Sequence, residues 1–222
     1  MESENMEKSS IKAVLFDLDG TLTDTEKYYQ IAWPKALSHF GYQVEDWMPL
    51  QLRSLGRPFA PRQFKDWFGE DFDYNKVREY RKGIVEEMIK ESGIPLKPGA
   101  KEILRWLRQQ KVLTALVTAN NFSRAERYLK KIDLFEYFDK IICADMVSQG
   151  KPAPDIYAFA CRELNLDPKE TFAVEDSPNG VTSAYLAGCN VIMVPDLTQP
   201  DEELSAKLYR KVDKLLDIKD LF

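Results

Sequence analysis

The chain has 222 residues, of which 31 are Lys or Arg and 36 are Asp or Glu, so its formal net charge at pH 7 is −5. This length suits one large domain, or one domain that carries a smaller one, and a hydrophobic fraction of 44% excludes a disordered chain. The mild acidity argues against nucleic-acid and anionic-membrane partners, and no apolar run approaches the roughly 20 residues of a membrane span.

The chain starts with a polar segment, which is followed by a short apolar run. Residues 1–10 are polar and acidic and lack the apolar stretch of a secretory signal, so we predict a frayed leader on a cytoplasmic protein. Residues 11–16 are apolar and end at Asp17, a pattern typical of a buried parallel strand.

The next stretch, from about Asp24 to Pro95, contains no convincing strand. Residues 26–40 predict a helix that Pro34 should kink, and residues 74–90 predict an amphipathic helix. Shorter helical pieces rich in aromatic residues lie between these two. The pattern therefore predicts an all-helical subdomain inserted after the first strand.

Strands and helices alternate after this insert. Helical patterns separate four further predicted strands, which are Val112–Val117, Lys140–Cys143, Thr171–Val174 and Asn190–Val194. This alternation predicts an α/β fold with a doubly wound parallel sheet. We assign residues 1–22 and 97–222 to a Rossmann-like core and residues 23–96 to the inserted helical cap.

Three local signals mark helix ends in the second part of the chain. Ser123 and Glu126 have the spacing of a capping box that opens a helix. Pro154 suits the first turn of the next helix, and Gly188 suits the end of a helix that begins at Asn179.

The cysteines and the histidine restrict the possible chemistry. Cys143, Cys161 and Cys189 are scattered without a Cys-x-x-Cys pair, so they predict neither disulfides nor a zinc site, and we expect each to be buried. His39 lies within a predicted amphipathic helix, where we expect a surface or packing role. Because no Gly-x-Ser-x-Gly occurs, the chemistry must use carboxylates, hydroxyls, lysine or a hard metal.

Polar side chains follow four of the predicted strands. They are Asp17 and Asp19 after the first strand, Thr118 after the second, Lys151 after the third, and Glu175 and Asp176 after the fourth. The carboxyl ends of parallel strands open at one edge of a sheet, so these groups can converge there. Carboxylates hold Mg²⁺, which also takes a phosphate oxygen, while a lysine and a hydroxyl orient the remaining oxygens.

These segments resemble the four motifs of the haloacid-dehalogenase-like superfamily. They are Asp17-Leu-Asp-Gly-Thr21, Thr118, Gly150-Lys-Pro-Ala-Pro-Asp155 and Glu175-Asp-Ser-Pro-Asn-Gly180, in the superfamily's order. The helical insert resembles its α-helical cap. From Ile11 onward the chain is most similar to the branch that holds β-phosphoglucomutase and small-molecule phosphatases.

The resemblance implies roles for the carboxylates. Asp17 would attack phosphorus and form an aspartyl-phosphate, and Asp19 would act as general acid and then general base. Mg²⁺ would be bound by the Asp17 side chain, the Asp19 carbonyl oxygen and Asp176. Glu175 would act through a water molecule or support these ligands.

The resemblance also implies residues that contact the substrate. Thr118 and Lys151 would clamp the phosphoryl oxygens, and Lys151 would offset negative charge around Asp17. Arg57 resembles an arginine that phosphoglucomutase-like members place over the substrate, where it suits a second phosphate or sugar hydroxyls. The expected substrate-binding residues are Gly20, Thr21, Arg57, Ala119 and Asn120.

Two enzymatic readings share this core. The first is a phosphatase that passes the phosphoryl group to water, and the second is a phosphohexomutase that returns it to a sugar hydroxyl. Thr21 is typical of hydrolytic members, where mutases often have valine. Tyr29 stands where a mutase has an assisting histidine. Both departures favour hydrolysis. We expect a monomeric enzyme that acts on a small phosphorylated metabolite.

Two readings from other classes fit less well. A phospho-accepting signalling domain would be about half this length, would carry its acceptor aspartate after an interior strand and would have no cap. A catalytically inactive binding protein would show a substitution at Asp17, Asp19 or Asp176, and all three are intact.

Overall fold

The computed structural model describes residues 11–222, so the predicted frayed leader lies outside the described residues. Its central element is a six-stranded sheet with the strand order β3-β2-β1-β4-β5-β6, in which all neighbours are parallel. The strands are β1 (Ala13–Phe16), β2 (Leu113–Thr118), β3 (Lys140–Cys143), β4 (Thr171–Glu175), β5 (Asn190–Met193) and β6 (Arg210–Lys211). The predicted α/β fold with a parallel sheet is confirmed.

The first strand lies at the centre of the sheet. All four residues of β1 are fully buried, as expected for a parallel strand covered on both faces. In the ladders, Phe16 is aligned with Leu116 on one side and with Val174 on the other. This register brings the carboxyl ends of β1, β2 and β4 to the same edge.

Some helices cover the two faces of the sheet, and others form a separate group after β1. They are α1 (Glu26–His39), α2 (Met48–Gln51), α3 (Phe59–Phe68), α4 (Tyr74–Ser92), α5 (Ala100–Gln109), α6 (Phe122–Lys131), α7 (Asp155–Leu164), α8 (Pro178–Leu186) and α9 (Glu202–Ser205). Alternate residues of β1 face opposite sides. Val14 and Phe16 pack with α5 and α6, and Leu15 packs with α7 and α8.

Helices α1 to α4 lie between β1 and α5 and share an aromatic core. The Trp33 and Phe64 ring centroids are 4.9 Å apart, and Phe64 stacks on Phe72 at 5.0 Å. Across residues 11–222, no helix is both long enough and apolar enough to cross a membrane.

The structure corrects one predicted detail and adds a strand. Helix α6 begins earlier than the capping-box prediction, because the Asn121 side chain caps it by accepting from the backbone N–H of Arg124, so that prediction was wrong. Helix α1 runs from Glu26 to His39 through Pro34 without interruption. Strand β6 has only two residues, too few for a periodic signal in the sequence. The predicted helix end at Gly188 is confirmed, with a φ of 89°.

Candidate active site

Lys151 holds the Asp17 carboxylate at the end of β1. The Lys151 ammonium donates to Asp17 Oδ1 at 2.6 Å, to the Val117 carbonyl at 3.0 Å and to Glu175 Oε1 at 2.5 Å. Asp17 is 2% exposed and Lys151 is fully buried. Burial alone would lower the pKa of Lys151, but the two carboxylates beside it raise that pKa above its ordinary value. The lysine is therefore a fixed cation, and its three donors all have acceptors.

Glu175, the last residue of β4, is held beneath Asp17. Its Oε1 accepts from the Tyr157 hydroxyl at 2.6 Å as well as from Lys151. A Cβ at Gly180 would lie 2.0 Å from the Glu175 carboxyl carbon, so only glycine fits at the start of α8. Close packing against the Glu175 carboxyl group therefore explains why the predicted fourth motif has glycine at position 180.

Asp176 links the sheet edge to the helical insert. Thr21 donates to Asp176 Oδ1 at 3.1 Å, and the fully buried Arg53 donates to Asp176 Oδ2 in a short contact. Gly20 has a φ of 89°, and a Cβ there would lie 2.2 Å from Asp176 Oδ2. Glycine therefore satisfies both the turn and the close approach of this carboxylate.

The Asp19 carboxylate is oriented by two hydrogen bonds. Thr25 donates to Oδ1 at 2.5 Å, and the Asn120 amide donates to Oδ2 at 2.6 Å. The Thr118 hydroxyl accepts from Asn120, from its side-chain amide at 3.1 Å and from its backbone N–H at 3.2 Å. The loops after β1 and β2 are thus joined through Asn120, which fixes Asp19 at the edge of the sheet.

Negative charge exceeds positive charge at this edge of the sheet. Five buried carboxyl groups surround two buried cations; the acids are Asp17, Asp19, Glu26, Glu175 and Asp176, and the cations are Arg53 and Lys151. Burial raises the pKa of Asp17 and Glu26 well above their ordinary range, and neighbouring carboxylates add to the rise. Burial, followed by the charge of Glu175, raises the pKa of Asp176 to about 6, against the opposing effect of Arg53.

The donor set fits a hard divalent cation. Oxygen atoms of Asp17, Glu175 and Asp176 all lie within 4.8 Å of one another. Asp17 Oδ2 is buried and accepts no hydrogen bond from any residue in the described part of the chain. An anionic oxygen without a donor, in a cluster with excess negative charge, is stabilised by a bound cation. All the candidate ligand atoms are oxygens, the type that Mg²⁺ prefers.

A cavity of about 460 Å³ lies between this edge and the helical insert. Of the predicted site residues, those that line it are Asp17, Asp19, Arg57, Thr118, Ala119 and Asn120. The others lie beneath its surface, around the acidic cluster; they are Gly20, Thr21, Lys151, Glu175 and Asp176. The predicted site residues therefore form two groups, one that lines the cavity and one that is buried behind it.

Arg57 lines this cavity and is exposed. Its guanidinium donates to Asn75 Oδ1 at 2.7 Å and lies 5.9 Å from the centre of the Tyr74 ring. The same side chain lines a second cavity, which is formed by residues of the insert between Arg57 and Asn75. Arg57 therefore contributes to both cavities while its guanidinium is bonded to Asn75.

The insert closes over the core through a backbone contact. The Gly56 N–H donates to the Lys151 carbonyl at 2.8 Å, and the Gly150 N–H donates to the Arg57 carbonyl at 2.7 Å. A Cβ at Gly56 would lie 2.7 Å from Gly150 Cα. The two glycines therefore allow the loop of the insert to approach the loop that carries Lys151.

The cysteines and the histidine lie away from this chemistry. Cys143, Cys161 and Cys189 are buried free thiols, as predicted. The exposed His39 ring stacks on Tyr80, with centroids 4.0 Å apart, which confirms a surface packing role.

Residues 11–188 match the family of haloacid dehalogenase-like hydrolases, so the chain belongs to that family and is a hydrolase. Among its relatives is the phosphorylated carbohydrates phosphatase of Thermotoga maritima. The two sequences are 32% identical over 186 residues, which cover 80% of this chain and 82% of that protein.

Solved structures show the same architecture. CbbY from Rhodobacter sphaeroides in complex with phosphate is 27% identical, with a TM-score of 0.76 over 92% of this chain and 94% of that one. β-Phosphoglucomutase from Clostridium difficile is 23% identical, with a TM-score of 0.78 over 95% of this chain and 96% of that one, and shows the shared fold. The predicted resemblance to the phosphatase and phosphoglucomutase branch is thereby confirmed.

The sequence analysis missed Arg53, Thr25, Arg81 and Arg124, which all lie at this site. Thr25 follows the first motif by only a few residues, so its hydrogen bond to Asp19 had a local signal in the sequence. The three arginines had no such signal. They reach the site through the packing of helices and loops that are far apart in the sequence.

Proposed function

We propose that this protein hydrolyses small phosphate monoesters, of the sugar phosphate class, through an aspartyl-phosphate formed on Asp17. The observation that carries this proposal is the convergence of Asp17, Asp19 and Lys151 beside one cavity, next to an oxygen-only acidic cluster. The named phosphatases among the relatives support the same substrate class.

In the first step, an Asp17 oxygen attacks phosphorus and the bond to the leaving oxygen breaks. Asp19, held by Thr25 and Asn120, gives a proton to that leaving oxygen. Lys151 keeps Asp17 oriented and offsets part of the charge that the phosphate brings. The product of this step is the phosphorylated Asp17 and a free alcohol.

In the second step, Asp19 takes a proton from water as the water attacks the phosphorylated Asp17. Inorganic phosphate leaves and the Asp17 carboxylate is regenerated, so atoms and protons balance over the cycle. We assign α1 to α4, within residues 23–96, the role of a cap that excludes bulk water while the ester is bound.

We assign Mg²⁺ to the acidic cluster. Asp17, Asp176 and the Asp19 carbonyl oxygen would hold the ion, and Glu175 would support it while held by Lys151 and Tyr157. When bound, Mg²⁺ neutralises charge on the phosphoryl oxygens.

Hydrolysis is favoured over transfer to a second sugar. Tyr29 lines the cavity, and burial raises the pKa of its phenol above its ordinary value, so it stays protonated at neutral pH. A group that does not release its proton is a poor substitute for an assisting histidine. The Thr21 hydroxyl bonds Asp176, a contact that a mutase with valine at this position would lack.

The test is phosphate release from a panel of aryl and sugar phosphates in the presence of Mg²⁺, with EDTA as the control. We expect several esters to be hydrolysed, EDTA to stop the reaction and added Mg²⁺ to restore it. No phosphate from any ester at micromolar enzyme would contradict the proposal, and full activity of a metal-stripped sample would contradict the metal assignment.

A further inference from the structure

Arg81 is a buried cation that has no anionic partner among the described residues. Its side chain extends from α4, is 6% exposed, and forms no hydrogen bond or ion pair with any residue from 11 to 222. The guanidinium lies 5.0 Å from the centre of the Tyr29 ring and 4.7 Å from that of Trp33. Such stacking covers the faces of the guanidinium and leaves its N–H donors at the edge unused.

A second guanidinium lies against the same tyrosine. Arg124, on α6, is 5.7 Å from the centre of the Tyr29 ring and donates to the Tyr128 hydroxyl at 2.8 and 2.5 Å. Its nearest carboxylate, Glu86, is 3.7 Å away and is bonded instead by Arg127 at 2.7 and 2.8 Å. The charge of Asp19 also acts on Arg124, so this guanidinium has two carboxylates in its surroundings, whereas Arg81 has no ion pair within residues 11–222.

Both arginines line the cavity that Asp17 and Asp19 line. Tyr29 lines it too, and its hydroxyl makes no hydrogen bond with any residue that the structure describes. The cavity thus has an acidic side, suited to a cation and a phosphoryl group, and a basic side with unused donors.

The geometry points to a subsite for a second anionic group of the substrate, formed by Arg81, Arg124 and the Tyr29 hydroxyl. This inference rests on the proposed function, because the subsite would bind the end of the ester that is opposite to the phosphoryl group reacting at Asp17. The substrate class is a small phosphate monoester that carries a carboxylate or a second phosphate at its other end. Arginine pairs with either anion through two parallel hydrogen bonds.

The test compares two matched pairs of esters. 3-Phosphoglycerate is compared with glycerol 3-phosphate, and glucose 1,6-bisphosphate with glucose 1-phosphate. The anion preference is the ratio of kcat/KM for the first member of a pair to that for the second. We expect a ratio of about ten or more in at least one pair, and the pair that shows it distinguishes a carboxylate from a phosphate.

Arg81→Gln should lower that ratio by about tenfold or more, and Arg81→Lys should restore part of it. Arg105→Gln is the matched control, because that arginine is exposed on α5 and does not line the cavity. Removal of an uncompensated buried charge should leave the melting temperature of the Arg81→Gln protein unchanged or higher. A purely structural role for Arg81 would lower the melting temperature and leave the ratio unchanged, which would overturn the inference.

The rise in melting temperature that each ester causes is measured in parallel with turnover. If no ester is hydrolysed, the proposed function fails, and the subsite is then judged from binding alone. A larger rise with the doubly anionic esters that Arg81→Gln abolishes would support the subsite. Equal rises within both pairs, or ratios near one in both, would overturn it even if hydrolysis is observed.

Discussion

Asp17 has one oxygen held by Lys151 and a second, buried oxygen that no donor reaches within residues 11–222. This arrangement leaves one carboxylate both fixed in place and available for a cation and for phosphorus. An amide at this position is neither an anionic ligand nor a competent nucleophile. Asp17→Asn should therefore reduce kcat for phosphate release by about a thousandfold or more, roughly 4 kcal/mol.

The fold should survive this change. Lys151 keeps its bonds to Glu175 and to the Val117 carbonyl, and the acidic cluster loses one negative charge. Asp24→Asn is the matched control, because that carboxylate pairs with Lys27 and does not line the cavity. Turnover of the Asp17→Asn protein within about tenfold of wild type would rule out the covalent mechanism.

Strand ends were sufficient to predict the residues of the core that meet at this site. Asp17, Thr118 and Glu175 stand at or just beyond the ends of adjacent parallel strands, so topology alone brings them together. Arg53 could not be found in this way. Its contact with Asp176 depends on how the insert packs over the sheet, and neither periodicity nor spacing encodes that.

At the scale of elements, the loop of the insert meets the Lys151 loop through Gly56 and Gly150. A Cβ at Gly56 would come within 2.7 Å of Gly150 Cα, so one backbone must move. Gly56→Ala should therefore displace the loop, and we expect kcat/KM to fall by about tenfold or more, roughly 1.4 kcal/mol. Steady-state kinetics on the preferred ester will measure this.

Gly83→Ala is the matched control. Gly83 lies within α4, and a Cβ there would meet no atom of residues 11–222 within 4 Å. Alanine should stabilise the helix by about 0.5–1 kcal/mol and leave kcat/KM unchanged. The importance assigned to the glycine contact would be refuted if Gly56→Ala kept the kinetics of wild type.

The elements themselves were predictable to different degrees. Strands that are buried on both faces appear in the sequence as continuous apolar runs. The predicted bounds of β3 match the structure fully, and those of β1, β2, β4 and β5 differ from it by at most two residues at either end. Helix α6 began earlier than expected because Asn121 competes with Ser123 as the capping residue. Edge strand β6 is too short for its pattern to be distinguished from a loop.

At the scale of the whole molecule, the excess of buried carboxylates links metal binding to pH. The raised pKa of Asp176, about 6, means that the folded protein binds this proton more tightly than the unfolded chain does. Its contribution to metal-free stability is therefore greatest at low pH and is lost as the pH rises through about 6. Mg²⁺ needs the ionised carboxylate, so it should raise the melting temperature more at pH 7.5 than at pH 5.5.

Thermal unfolding with and without Mg²⁺ at the two pH values measures this difference. Asp176→Asn is the informative variant, because it removes one negatively charged ligand. In this variant Mg²⁺ should cause only a small rise in melting temperature at both pH values. An equal rise at both pH values in the wild-type protein would contradict the placement of the ion at these carboxylates.

The two sides of the cavity differ in how far the sequence predicts them. The parallel sheet and its strand-end groups could be predicted from alternating elements, because that pattern admits few topologies. The basic side of the cavity could not, because it is assembled from α1, α4 and α6, which meet only in three dimensions. The sequence therefore predicts the groups that react with the phosphate better than the groups that recognise the rest of the substrate.

The central claim is that water accepts the phosphoryl group from Asp17. The most direct measurement is ³¹P NMR of the wild-type protein with Mg²⁺, β-glucose 1-phosphate and a catalytic amount of glucose 1,6-bisphosphate, which follows both products at once. Hydrolysis predicts that inorganic phosphate forms at least about tenfold faster than glucose 6-phosphate. Accumulation of glucose 6-phosphate about tenfold faster than inorganic phosphate would contradict the account and identify a phosphohexomutase.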